Sequence, residues 1–246
     1  PAGPRPSTPG CVRAGPGPSG LAPVPPGPGP AQKSGWDTGP KILRPIYQIW
    51  GSRWAEPPEC RWSAGVETTT GPLGQGVANS VGMAMASKWY AATYNKEDFE
   101  LFSYDVYALC GDGCLQEGVS AEAMSFAAHE KLDNLIVLYD ANDVTLDKMA
   151  EFTQSEDVGA RYEAYGWDVI TLTDGHDLKA IYEAIEEAKA NDNGKPTMII
   201  AKTEIGRGID EVAGTNAAHG EAGVEYVDAA REKLGLPAAQ WHVSDD

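Results

Sequence analysis

Val106-Tyr107-Ala108-Leu109-Cys110-Gly111-Asp112-Gly113-Cys114-Leu115-Gln116-Glu117-Gly118 passes from a short apolar run straight into an aspartate held between two glycines. Five such residues ending at glycine predict a short buried β-strand. In α/β sheets, ligands bind outside the carboxyl ends of the strands, which is where residues 111–118 would lie. Glycines on both sides of Asp112 let backbone N–H groups approach phosphate oxygens with no Cβ in the way. The aspartate itself would repel a phosphate, so the arrangement makes physical sense only with a cation between the two anions.

The next apolar run, Leu135-Ile136-Val137-Leu138-Tyr139, ends at Asp140-Ala141-Asn142-Asp143-Val144. Asn142 thus follows Asp112 by thirty residues, one strand–helix–strand unit. Adjacent parallel strands would deliver a carboxylate and an amide oxygen to one sheet edge. Mg²⁺ takes oxygens in an octahedron, with one or two carboxylates completed by phosphates and water. Asp112, Asn142 and a backbone carbonyl near Val144 would be this chain's share.

Outward from this pair, helix and strand signals alternate. Residues 73–94 read as a helix, with Val77, Val81, Met85 and Trp89 four apart on one face. Helices are also predicted over 121–129, 157–165, 178–190 (Ile181, Ile185 and Ala188 inward) and 223–234. Further strands are predicted over 167–172 and 198–202. Short apolar strands alternating with helices imply an α/β fold, a parallel sheet with helices on both faces.

Residues 1–40 hold 12 of the 18 prolines, in runs such as Pro25-Pro26-Gly27-Pro28-Gly29-Pro30. Proline removes backbone donors and the stretch has little apolar surface to bury, which predicts an extended, solvated tail. The expected organisation is therefore an atypical Pro/Gly-rich tail over 1–60 and one cofactor-binding domain over 61–246. The formal charge of -17 speaks against a nucleic-acid backbone as partner. No apolar run nears the ~20 residues of a membrane helix. Cys11, Cys60, Cys110 and Cys114 show no metal-ligand spacing, so reduced thiols in a cytoplasmic protein are expected.

Four segments together resemble the diphosphate domain of the transketolase family, which binds thiamine diphosphate. They are residues 65–76 (GVETTTGPLGQG), 111–118 (GDGCLQEG), 161–167 (RYEAYGW) and 214–220 (GTNAAHG). The resemblance implies a thiamine-diphosphate-binding fold and transfer of a two-carbon ketol unit between sugar phosphates. Residue by residue, Gly71, Pro72 and Leu73 match the loop that touches the cofactor rings. Asp112, Asn142 and the Val144 carbonyl match the ligands of Mg²⁺ or another divalent cation such as Ca²⁺. Gly113 and Asn142 also match diphosphate contacts. Glu117 matches a glutamate in a carboxylate network that spans a dimer. His219 matches a histidine, counted as catalytic, that meets both the diphosphate and the sugar substrate. A pyrimidine-domain partner or second chain, in a homo-oligomer, is implied as well.

Some positions depart from the family pattern. No histidine occurs before His129, residues 55–60 read AEPPEC where the family carries Gly-His-Pro-Glu, and Asn216 stands where the family often has a histidine. Residues before about Ala64 therefore read as a shifted or misjoined frame, with Gln48-Ile49-Trp50-Gly51-Ser52-Arg53 as an isolated remnant. His129 reads as a cap or surface residue, His176 as a turn residue after Asp174-Gly175, His242 as part of a frayed terminus and Cys114 as structural. A catalytically silent fragment or interaction module that keeps the fold is the competing function, and the chain by itself is expected to lack turnover. The absence of GxGxxG after a strand disfavours a nucleotide-binding Rossmann domain.

Overall fold

A computed structural model describes residues 60, 66–219 and 224–238. The chain divides into two compact units, Pro1–Gly71 with Ala239–Asp246, and Pro72–Ala238. In the first, the Cys60 backbone N–H donates to Thr69 Oγ1 at 2.9 Å. The expectations for residues 1–59, Gly220 and His242 lie outside the described residues.

In the second unit, β1 (Val106–Gly111), β2 (Leu135–Ala141), β3 (Asp168–Leu172) and β4 (Thr197–Lys202) form a wholly parallel sheet in the order β1-β2-β4-β3. The helices are α1 (Gln75–Tyr94), α2 (Asp112–Gln116), α3 (Gly118–His129), α4 (Val158–Tyr165), α5 (Leu178–Ala190) and α6 (Val227–Lys233). The short α2 is absent from the sequence reading because five residues carry too little periodicity to register. The closing helix is shorter than 223–234, and a 3₁₀ turn at Val224–Tyr226 precedes it.

Strand side chains alternate between faces, and this partitions the core. Leu135, Val137, Tyr139, Met198 and Ile200 pack with Val77, Val81, Met124, Ala127 and Tyr162 from α1, α3 and α4. Ile136 and Ile199 pack on the opposite face against Ala184 and Ala188 of α5. Helices therefore lie on both faces, as expected. Each large apolar side chain so buried contributes about 1.5–3 kcal/mol.

Two packing expectations need correction. Val77 and Val81 are buried, but Met85 is 41% and Trp89 60% exposed. A four-residue step turns 400° on an α-helix, so the row drifts 40° per step and leaves the core side. The buried face instead follows Val77, Ser80, Val81, Ala84 and Ser87, mixing steps of three and four. β1 is also not buried throughout: Leu109 is 78% and Tyr107 48% exposed. Helix α5 packs mainly on β2, β3 and β4, and its charged edge at Glu186 and Lys189 only partly covers that face of β1. On α5, Ala184 and Ala188 carry the fully buried positions while Ile181 and Ile185 are half-buried.

Local chemistry sets the helix ends. The Asp157 carboxylate accepts from Ala160 N at 3.0 Å, capping α4, and Gly166 at φ 103° ends it. The Asp177 carboxylate accepts from Lys179 N and Ala180 N and starts α5. Trp167 is 2% exposed, and its Nε1 donates to the Met124 carbonyl at 2.9 Å, which pins the start of β3 to α3. Among the described residues, no helix is long and apolar enough to cross a membrane.

Candidate cofactor and metal site

Gly111 of β1 lies opposite Asp140 of β2, so both chains leave the sheet side by side. Asp112 is the first residue of α2 and Asn142 the first residue beyond β2. The predicted pair therefore does arrive at one edge of the sheet.

Asp112 is only 2% exposed. One carboxylate oxygen, Oδ1, accepts from the Tyr139 hydroxyl at 2.6 Å. The other, Oδ2, is buried with no hydrogen-bond partner. Burial pushes the carboxyl above its ordinary range, and nearby Asp143 adds to that. The Tyr139 bond and the nearby backbone amides of Asp112 and Asn142, which do not reach hydrogen-bond geometry on Oδ2, pull it partly back. A buried carboxylate with one oxygen unsatisfied is costly unless a counter-charge meets it. A divalent cation fits that oxygen.

Asn142 Oδ1 accepts from Val144 N at 3.0 Å, and Asn142 Nδ2 donates to Asp140 Oδ2 at 3.3 Å. An amide oxygen has two lone pairs, so one remains for a further ligand. The chain doubles back after Asn142 because Asp143 adopts φ 60°. Val144 then bridges Met149, and Ala150 N donates to the Asp143 carbonyl at 2.8 Å. Beside these residues is a cavity of about 690 Å³, lined in part by Asp112, Tyr139, Asp143, Glu156, Asp157 and Lys202. Its acidity would repel a phosphate-bearing ligand that came without a cation.

Leu73 and Gly113 are brought together: a Cβ built on Gly113 would stand 3.0 Å from Leu73 Cδ1. The start of α1 is seated by Gly74, whose φ of 78° places it against Ser120 and Glu117. Pro72 accepts from Gln75 N at 3.2 Å. Gly71 belongs to the other compact unit. Glu117 is exposed at the junction of α2 and α3. His219 is exposed, and among the described residues its imidazole makes no hydrogen bond or ion pair. The loop that carries it is tied down by Asn216, whose Nδ2 donates to the Asp147 carbonyl at 2.9 Å.

Several site-edge residues escaped sequence reading. Tyr139 is legible only as a strand residue, although its register opposite Cys110 places it two residues from the position of Asp112. Thr203 donates from Oγ1 to Asp140 Oδ1, linking β4 to the residue that also holds Asn142. Arg161 bridges Glu156 at 3.2 Å and the Leu115 carbonyl at 3.1 Å, which anchors α2 to α4.

Known proteins similar to this chain fall in one family. Residues 34–246 match the family profile described as transketolase, thiamine diphosphate binding domain. That match begins well upstream of Gly65, where the motif resemblance starts. A transketolase of Physarum polycephalum is 57% identical over 187 residues, 76% of this chain and 28% of that protein. One of Dictyostelium discoideum is 49% identical over 213 residues, 87% of this chain and 32% of that protein. Among solved structures, transketolase from Leishmania mexicana superposes with a TM-score of 0.79 at 39% identity, over 83% of this chain and 31% of that one. The chain thus spans 28% and 32% of the length of the two curated relatives. With an aspartate and an asparagine side by side at the sheet edge and a profile match over most of its length, the chain belongs to the transketolase family.

Proposed function

We propose that this chain binds thiamine diphosphate through a divalent cation, Mg²⁺ or Ca²⁺, as the cofactor-holding part of an enzyme that moves a two-carbon ketol unit between sugar phosphates. The observation that carries this reading is Asp112, buried with Oδ2 unpartnered at the edge where Asn142 emerges. Asp112 supplies the charge that balances the cation, while Asn142 and the Val144 carbonyl supply neutral oxygens. Gly113, where a Cβ would stand 3.0 Å from Leu73 Cδ1, is assigned to the diphosphate, which glycine lets approach the backbone closely.

Thiamine diphosphate, when bound, supplies the nucleophilic carbon that makes and breaks carbon–carbon bonds. The protein's own part is to hold and orient. Pro72 and Leu73 contact the cofactor rings, and Tyr139 fixes the Asp112 carboxylate so that Oδ2 serves the cation. His219 is assigned to the diphosphate and the sugar, donating from an exposed loop end. Contacts to the pyrimidine come from a partner domain or second chain, in a cytoplasmic homo-oligomer, so this chain by itself binds without turning over.

Titration calorimetry tests the reading. Thiamine diphosphate is titrated into the chain with Mg²⁺ and with chelator, in wild type and in Asp112→Ala and Asn142→Ala. Cofactor and metal should raise each other's affinity by one common factor. That coupling should vanish in Asp112→Ala and weaken in Asn142→Ala. Metal-independent binding in the wild type, or unchanged coupling in Asp112→Ala, would refute it. A silent module is the second reading, favoured by Asn216 standing where the family often has a histidine; folded chain with no cofactor affinity would select it.

A further inference from the structure

His176 reads as a turn residue, and its backbone does turn: His176 N donates to Asp174 Oδ1 at 2.9 Å. Its ring does something more. Glu204 N, in the loop after β4, donates to His176 Nε2 at 2.9 Å. These residues are 28 apart in sequence and belong to loops leaving the carboxyl ends of β3 and β4. An accepting Nε2 places the ring proton on Nδ1.

The contact is built into the backbone. Gly175 N donates to the Lys202 carbonyl at 2.7 Å. A Cβ on Gly175 would lie 2.7 Å from Thr203 Cγ2 and 2.8 Å from the Lys202 oxygen, so only glycine permits the approach that brings the ring to Glu204. Thr203, the residue next to the clamped amide, donates to Asp140 Oδ1. Asp140 Oδ2 accepts from Asn142 Nδ2, and Asn142 Oδ1 accepts from Val144 N. A continuous path therefore runs from the imidazole to the amide assigned to the cation. Asp140 Oδ2 also selects which end of that amide it faces: the NH₂ turns toward it and the amide oxygen turns away.

We infer that His176 is a positioning residue, one that locks the loop after β4 against β3 and through Thr203 and Asp140 sets the orientation of Asn142. The bearing on cofactor binding rests on the proposed function, but the lock itself is readable in the chain without cofactor. Hydrogen exchange is measured at the Glu204 and Val144 amides in the full chain, as wild type, His176→Phe and His176→Gln. Phenylalanine keeps the ring volume without the acceptor, and glutamine restores an acceptor near the Nε2 position. His176→Phe should exchange about fivefold to tenfold faster at both amides, and His176→Gln should return both toward wild type. Unchanged exchange at Glu204 in His176→Phe, or faster exchange at Glu204 with Val144 unaffected, would overturn the inference. So would a loss in His176→Phe that glutamine does not reverse. A parallel titration with thiamine diphosphate and Mg²⁺ separates the two ideas: a wild type that binds no cofactor refutes the functional reading, while the exchange rates still decide the lock.

Discussion

Gly74→Ala tests how the start of α1 is seated against the glycine–aspartate loop. Gly74 is buried at φ 78°, ψ -19°, and its carbonyl accepts the first helical bond of α1 from Ala78 N at 3.0 Å. An alanine there adopts a left-handed backbone, which costs about 1–2 kcal/mol. Its Cβ would also meet Ser120 Oγ at 2.7 Å and Glu117 Cβ at 2.9 Å. Ser120 cannot swing aside cheaply, because it is 0% exposed and its hydroxyl donates to the Cys114 carbonyl at 2.6 Å. Relieving that overlap adds about 1–3 kcal/mol. The total, about 2–5 kcal/mol, is a large share of the 5–15 kcal/mol typical of a folded domain. In urea this lowers the unfolding midpoint by roughly 1–2 M, read by tryptophan fluorescence. Gly82→Ala is the control: it lies in the same helix with nothing within 4 Å of the new Cβ, and should be neutral or up to about 1 kcal/mol stabilising. A Gly74→Ala chain within about 0.5 kcal/mol of wild type would refute both the strain and the packing argument.

Trp167→Phe removes the Nε1 donor to the Met124 carbonyl and part of the volume between α3 and β3, and should cost about 1–3 kcal/mol by the same urea assay. Asp168 offers a pH test. Burial raises its carboxyl, but donors from Asn193, Asn191 and Lys195 outweigh that and hold it below the ordinary carboxylate range. A depressed carboxyl stabilises the fold above its unfolded value and loses that contribution as pH falls through the folded value. Wild type should therefore exceed Asp168→Asn in stability at pH 7, and the gap should close as pH drops below about 4, as followed by denaturation midpoints. Asn216→Ala frees the loop before His219 from the Asp147 carbonyl, so limited trypsin cleavage at the exposed Arg207 should run about fivefold faster, timed by gel or mass spectrometry.

Much of the architecture is legible in the chain because its signals are local. Strand β1 running into Gly111-Asp112-Gly113 and β2 running into Asn142 could be read from apolar runs ended by glycine and aspartate. The helices over 157–165 and 178–190 could be read from their composition and periodicity, while the capping by the Asp157 and Asp177 carboxylates is seen in the structure. The pairing of Asp112 with Asn142 follows from one strand–helix–strand spacing. What the chain did not disclose was decided by neighbours distant in sequence. Nothing local says that β4 inserts between β2 and β3, yet that order puts Thr203 beside Asp140 and the Glu204 amide beside His176. The same holds for Tyr139, whose hydroxyl is useful only because register places it next to Asp112, and for Met85 and Trp89, which helix drift carries out of the core. Periodicity encodes which residues share a face within one element. Which elements meet, and therefore which polar groups are buried without a partner, is set by the burial of whole faces against one another, a property of the assembled sheet.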